Sequence, residues 1–119
     1  YSDIHRLLEQ NKKQTVPVIL LGDLNTKKSN SKDYSKMLET ISMKDPTINK
    51  KKLYTFDSNN YWNNNASSSQ LDYILIQCRK TDSKIVNTKI LKPKFMFKEN
   101  QIDLADHYAI SAKIIFTNN

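Results

Sequence analysis

The chain has 119 residues, is 38% hydrophobic and 26% charged, and carries a formal charge of +7 from nineteen Lys and Arg against twelve Asp and Glu. Its length fits one ordinary domain or a portion of a larger one, and its apolar residues are grouped into discrete runs, which argues against a disordered chain. No apolar run approaches the ~20 residues of a bilayer-spanning helix, and the single cysteine, Cys78, excludes an intramolecular disulfide.

The sequence begins at Tyr1, with neither a methionine nor a signal-like segment before the first helical pattern, so residues upstream are expected to be missing, whether removed or simply not included. From Ser2 to Lys13, Ile4, Leu7 and Leu8 recur at helical spacing among charged residues and predict an amphipathic helix in which His5 is partly exposed. The run Val16 to Leu21 predicts a buried strand, and Gly22, the only glycine, marks a tight exit or a close backbone approach. After a polar loop over Lys27 to Lys32, Ser31 or Asp33 is placed to cap a helix through Tyr34, Met37, Leu38 and Ile41, broken by Pro46-Thr47. Leu53 to Phe56 alternates as a strand, and the Asn- and Ser-rich stretch Ser58 to Ser69, with Tyr61 and Trp62 embedded, predicts a loop. Asn65-Ala66-Ser67 matches a glycosylation acceptor, a match that chance supplies readily in so Asn-rich a stretch. Leu71 to Ile76, Ile85 to Leu91 and His107 to Phe116 complete the strands, the last with Tyr108, Ile110, Ala112 and Ile114 on one face. Strand-rich with two helices, the pattern predicts an α/β or α+β sandwich.

Three polar sites recur on one plan, each at the end of an apolar strand: Asp23 with Asn25, Asp72, and Asp106 with His107. Ionisable groups there are costly unless they find partners or a metal. Taken singly, each has an ordinary explanation, because an Asp after a strand-ending glycine usually makes a turn or caps a helix. Together they supply three carboxylates, an amide and an imidazole, which suffices for most of a metal-assisted phosphoryl site. Carboxylates hold Mg²⁺ or Mn²⁺, and a histidine takes the proton of the attacking water. His107 is the natural base, and a carboxylate on its other nitrogen would fix the tautomer.

Gly-Asp-Leu-Asn at 22–25, Leu-Asp-Tyr-Ile at 71–74 and Ala-Asp-His-Tyr-Ala-Ile at 105–110 resemble, in order and approximate spacing, the C-terminal half of the endonuclease/exonuclease/phosphatase superfamily with its DNase I-like fold. Asp33-Tyr34 with Met37-Leu38, Asp45-Pro46-Thr47 and Tyr54-Thr55-Phe56-Asp57 extend the resemblance, closest to the bacterial neutral sphingomyelinases of the beta-haemolysin type, over nearly the whole chain. The resemblance implies that residues 1–119 are the C-terminal portion of one such domain, half of a four-layer sandwich with mostly antiparallel sheet and flanking helices. It implies a secreted or peripheral membrane enzyme that uses Mg²⁺, Mn²⁺ or Co²⁺ to hydrolyse sphingomyelin to ceramide and phosphocholine. By motif, Asp23 lies on the metal side, Asn25 at the phosphate and within the metal-binding set, and His107 is the base or transition-state stabiliser. Asp72 orients His107, and Asp106 sits beside the metal.

Ala105 replaces a common Ser in that pattern, a small departure. The large one is that the family's metal-binding glutamate, an early asparagine and a further histidine belong to the N-terminal half of the fold. The chain alone is therefore expected to be inactive until that half, or a complementing chain, is supplied, and the inner face of its sandwich to be unburied.

Leu91 to Lys98 sets Phe95, Met96 and Phe97 among Lys92, Lys94 and Lys98, a pattern suited to a hairpin or loop whose apolar tip enters lipid while its cations meet headgroups. In the sphingomyelinases a hydrophobic hairpin at this position contacts the membrane; the alternative is that Phe95 and Phe97 point into a core. A phospholipid surface is thus the expected partner. The competing functions are a Mg²⁺-dependent nuclease or inositol-phosphate phosphatase of the same fold, and a non-catalytic membrane-docking remnant. A basic chain suits nucleic acid, but with arginine limited to Arg6 and Arg79 nucleic acid is the less favoured partner.

Overall fold

A computed structural model describes residues 1–11, 15–64 and 66–118. Two helices, α1 (Ser2–Gln10) and α2 (Ser31–Ile41), accompany six strands: β1 (Val18–Asp23), β2 (Asp72–Gln77), β3 (Thr81–Leu91), β4 (Lys94–Phe97), β5 (Asn100–Asp103) and β6 (Ala109–Asn118). The fold is mixed α/β. Its strands form three antiparallel pairs, β1 with β2, β3 with β6 and β4 with β5.

The main core lies where α2 crosses the β1–β2 pair. Tyr34, Met37 and Ile41 recur at helical spacing and meet Met43, Tyr73 and Leu75, with Ile4 and Leu8 of α1 and Val18 and Leu20 of β1 closing the edges. The cap is neither Ser31 nor Asp33 but Asn30, which accepts the Asp33 N–H at 3.2 Å, satisfying a donor of the first turn. It also ends earlier than the Pro46-Thr47 break, because Ser42 turns left-handed at φ 54° and closes the helix with bonds to Leu38 and Glu39 carbonyls. Helix α1 stops at Gln10, with Asn11 as its C-cap and not a further helical residue; the rest of the expected continuation to Lys13 falls on residues outside those described, as does Asn65 of the glycosylation match.

The first strand forms two residues later than expected and is not buried. Val18 and Leu20 face the core, whereas Ile19 and Leu21 are 45% and 66% exposed on the opposite face. On β2 the same two faces are both covered, so Tyr73, Ile74, Leu75 and Ile76 are all buried. Gly22 sits opposite Tyr73 with φ 142°, a conformation that L side chains rarely adopt, while a Cβ there would meet nothing within 4 Å. Backbone conformation, not close approach, is why glycine stands at this position.

Leu53 to Phe56 does not build a strand; Phe56 makes a single bridge with Ser69, and the described residues of the intervening Asn- and Ser-rich segment lie in turns and irregular backbone. The long ladder β3–β6 begins at Thr81, ahead of the expected Ile85, and shifts register between Val86 and Lys89. Strand β6 starts at Ala109, beyond His107, which leaves Asp106 and His107 in the connection that enters it. Between β3 and β6 stands the β4–β5 hairpin, turned by Lys98 and Glu99 at φ 45° and 66°, the two positive values of a tight hairpin turn. No helix among the described residues is long and apolar enough to cross a membrane.

Candidate active site

The antiparallel register sets Asp23, the last residue of β1, directly opposite Asp72, the first of β2. Asp23 Oδ1 accepts the Asn25 N–H at 2.7 Å, and Asn25 is left-handed at φ 50°, so the Gly-Asp-Leu-Asn segment does make the turn expected of an isolated Asp. That turn is held from two sides. The Tyr1 hydroxyl donates to Leu24 O at 2.7 Å, and the buried Tyr73 hydroxyl donates to Thr26 O and contacts Gln70 O at 3.1 Å.

His107 Nδ1 lies 2.7 Å from Asp72 Oδ2, with the imidazole about one quarter exposed and the carboxylate about one fifth. The Phe56 ring meets the imidazole edge to face, with centroids 5.3 Å apart. Burial disfavours the imidazolium, but the hydrogen bond and charge of Asp72, with smaller contributions from Asp23 and Asp106, outweigh it and raise the His107 pKa above the ordinary 6.5. Nitrogen Nδ1 is thereby committed to Asp72, which leaves Nε2 for exchange with a ligand or water.

Thr55 is the residue that sequence reasoning missed. Fully buried, its Oγ1 accepts the N–H groups of Leu71 at 3.0 Å and Asp72 at 3.1 Å, while its carbonyl accepts the Tyr108 N–H at 2.7 Å. One side chain and its own backbone therefore fix both partners of the Asp72–His107 pair. Its only sequence signal is a place in the resemblance at Tyr54 to Asp57, since a lone Thr in an apolar run suggests nothing but strand.

The connection carrying Asp106 and His107 is strapped to the Asn-rich loop. Asn60 Nδ2 donates to Ala105 O at 2.9 Å, Trp62 Nε1 to Asp103 O at 2.8 Å and Asn63 Nδ2 to Asp106 O at 2.6 Å. The side chain of Asp106 stays exposed. Beneath the strap, the buried Asp103 carboxylate receives the Tyr61 N–H at 2.8 Å and Lys94 Nζ at 3.0 Å. Burial would raise its pKa, but Tyr61, Lys94 and Tyr108 hold it below the ordinary value.

Among the described residues, no three or more His, Cys, Asp or Glu side chains form a group able to enclose a metal ion. A hard divalent cation such as Mg²⁺ needs no such cage, because it keeps several waters and takes one or two carboxylates plus substrate phosphate. Asp23 fits that part: it is exposed and spends one oxygen on Asn25. The structure thus brings Asp72 to His107 and Asp23 to both Asp72 and Asn25, and it leaves Asp106 beside His107 in sequence with its carboxylate in solvent.

The hairpin places all of Phe95, Met96 and Phe97 at the surface, 38%, 61% and 49% exposed, so the alternative of an inward Phe95 and Phe97 does not hold. Lys98 Nζ lies over the Phe97 ring, 5.4 Å from its centroid. No protein-family model, curated protein or solved structure gives a significant match to this chain.

Proposed function

We propose that residues 1–119 are the C-terminal portion of one DNase I-like domain and act in a metal-dependent phosphodiesterase of the sphingomyelinase type. The observation that carries this reading is the 2.7 Å Asp72–His107 pair with Asp23 facing Asp72 across the ladder. In this reading His107 Nε2 takes the proton of a water that attacks phosphorus. The bond from phosphorus to the ceramide oxygen breaks, and the ceramide oxygen leaves with a proton, giving ceramide and phosphocholine. Asp72 holds the imidazole in one tautomer and stabilises the imidazolium. Asn25 offers its amide N–H to a non-bridging phosphate oxygen. Asp23, with Asn25 and Asp106 as the resemblance implies, would hold Mg²⁺, Mn²⁺ or Co²⁺, which when bound supplies neutralising charge at the phosphate.

The exposed Ile19 and Leu21 face of β1 suits packing by the N-terminal half of such a domain, supplied in the same polypeptide or by a complementing chain. The exposed Phe95, Met96 and Phe97 favour a phospholipid surface over nucleic acid or a soluble inositol phosphate. Such an enzyme is secreted or peripheral at a membrane.

The complete enzyme, with the N-terminal half joined or added, is assayed on sphingomyelin vesicles and on plasmid DNA, with Mg²⁺ and with chelator. Chelator-sensitive release of phosphocholine, lost in His107→Ala, is expected. DNA cleavage in its place would make the protein a nuclease, and no turnover of either substrate would leave a membrane-docking remnant.

A further inference from the structure

Away from the catalytic pair, Lys50, Lys51 and Lys52 stand with Ile48, Leu53 and Tyr54 around an open depression of about 440 Å³. The segment that carries the lysines is tied down at its base. One oxygen of the buried Asp45 carboxylate accepts the Tyr34 hydroxyl of α2 at 2.6 Å, and the other accepts the Thr47 N–H at 2.7 Å and the Thr47 hydroxyl at 2.6 Å. Lys28 Nζ donates to the carbonyls of Thr47 and Lys50, at 2.7 and 3.2 Å, and lies 3.7 Å from Asp45, which balances its charge. Lys50, Lys51 and Lys52 have no such counterpart. They are exposed, none of them pairs with a carboxylate among the described residues, and no acidic residue lines the depression. Like charges on consecutive residues repel, and an anion seated among them relieves that repulsion.

The depression is not only basic. Ile48 is 54% exposed, and Leu53 and Tyr54 are half-buried, so apolar surface lies beside the lysines. A free phosphate or a nucleic acid backbone would engage the lysines and leave that surface in water, whereas the interfacial zone of a bilayer offers phosphate and apolar carbon together. Position agrees with chemistry. Ser68, on the wall of the depression, donates to Asp57 Oδ1 at 3.0 Å, and Lys92 Nζ, at the root of the β4–β5 hairpin, lies 3.8 Å from Asp57 Oδ2. One buried carboxylate thus joins the basic depression to the hairpin that exposes Phe95, Met96 and Phe97. We infer that the depression rimmed by Lys50, Lys51 and Lys52 docks the headgroup of an anionic phospholipid in a bilayer, a lipid that is bound and not hydrolysed. The inference goes beyond the proposed substrate, whose headgroup is zwitterionic, and rests on the reading above only for the bilayer contact of the hairpin, not for catalysis.

The complete protein, in chelator so that no lipid is turned over, is sedimented at constant ionic strength with two kinds of vesicle. One is phosphatidylcholine, and in the other part of the phosphatidylcholine is replaced by phosphatidylglycerol. The wild type should bind the second more tightly. Changing Lys50, Lys51 and Lys52 together to Gln should weaken that binding roughly a hundredfold, about fivefold per lysine, and leave binding to phosphatidylcholine alone unchanged. Lys80, Lys84 and Lys113, also exposed, changed together to Gln remove the same charge elsewhere and should act far less. Equal losses in the two triple variants would reduce the effect to net charge and overturn the site, as would an undiminished preference when Lys50, Lys51 and Lys52 are changed. If that variant fails to fold, Lys51→Gln alone should still weaken binding about fivefold. Binding of a DNA duplex that is lost with Lys50, Lys51 and Lys52, while vesicle binding persists, would make the surface one for nucleic acid and overturn the lipid site. Charge-selective binding by a protein that cleaves no sphingomyelin leaves the site standing and removes the catalytic reading; cleavage of sphingomyelin with no charge preference in binding removes the site alone.

Discussion

Asp72 and His107 are 35 residues apart in sequence and meet at 2.7 Å because β2 and the connection into β6 are both tied to Thr55. Replacing Asp72 with Asn keeps the shape and removes the charge that raises the His107 pKa. An NMR titration of His107 should then show a lower value in Asp72→Asn than in the wild type. The linkage has a definite sign. A raised folded-state pKa contributes stability that is complete below the ordinary histidine value of 6.5 and is lost as pH rises through the raised value. The stability gap between wild type and Asp72→Asn, measured by urea unfolding, should therefore narrow as pH rises through that interval; a constant gap would separate the pair from the titration.

Thr55→Val preserves volume but leaves the backbone N–H groups of Leu71 and Asp72 without their shared acceptor. A buried donor left unpaired costs about 1–3 kcal/mol, so a loss of that order in unfolding free energy is expected. Thr55→Ser keeps the hydroxyl and should recover most of it. Equal losses in Val and Ser would mean that packing of the methyl group, not the hydrogen bonds, is what Thr55 contributes.

Asp103 is 1% exposed and joins the hairpin to the Tyr61-Trp62 loop through Lys94 and the Tyr61 N–H. Asp103→Ala should destabilise the chain by about 3 kcal/mol, since it strands the Tyr61 donor and leaves Lys94 without its partner. A depressed carboxylate pKa contributes stability present above the ordinary 3.8 and lost as pH falls through the depressed value. Acid unfolding of the wild type should show that loss, and Asp103→Ala should lack it.

Strand β4 of the hairpin offers a separation of binding from folding. Phe95, Met96 and Phe97 lie at the surface, so changing Phe95 and Phe97 together to Ser should alter the thermal midpoint little while weakening sedimentation with phospholipid vesicles about tenfold or more. Vesicle binding equal to that of the wild type would remove the membrane role of the hairpin.

How far the chain could be read from its residues depended on whether the information was local. The apolar period of Tyr34, Met37 and Ile41 gave helix α2 and its buried face, and the mostly apolar run Leu71 to Ile76 gave β2 to within one residue, because both are set by neighbours within a few residues. Local reading went astray at Leu53 to Phe56, where strand-like alternation is overridden by Thr55 bonding both to the segment at 69–72 and to Tyr108. It went astray again at Val16 to Leu21, whose hydrophobicity tells of burial but not of which face finds a cover.

For Gly22, Asp23 and Asn25, sequence alone determined the residue types, the strand that ends there and the chemistry those oxygens and amides can perform. Tertiary structure decided the remainder. Antiparallel register put Asp23 across from Asp72, a backbone angle of 142° explained the single glycine, and Thr55 brought His107 to Asp72. Side-chain chemistry is a property of each residue, whereas the pairing of residues 23, 72 and 107 comes from hydrogen bonds between distant segments, which no local pattern encodes.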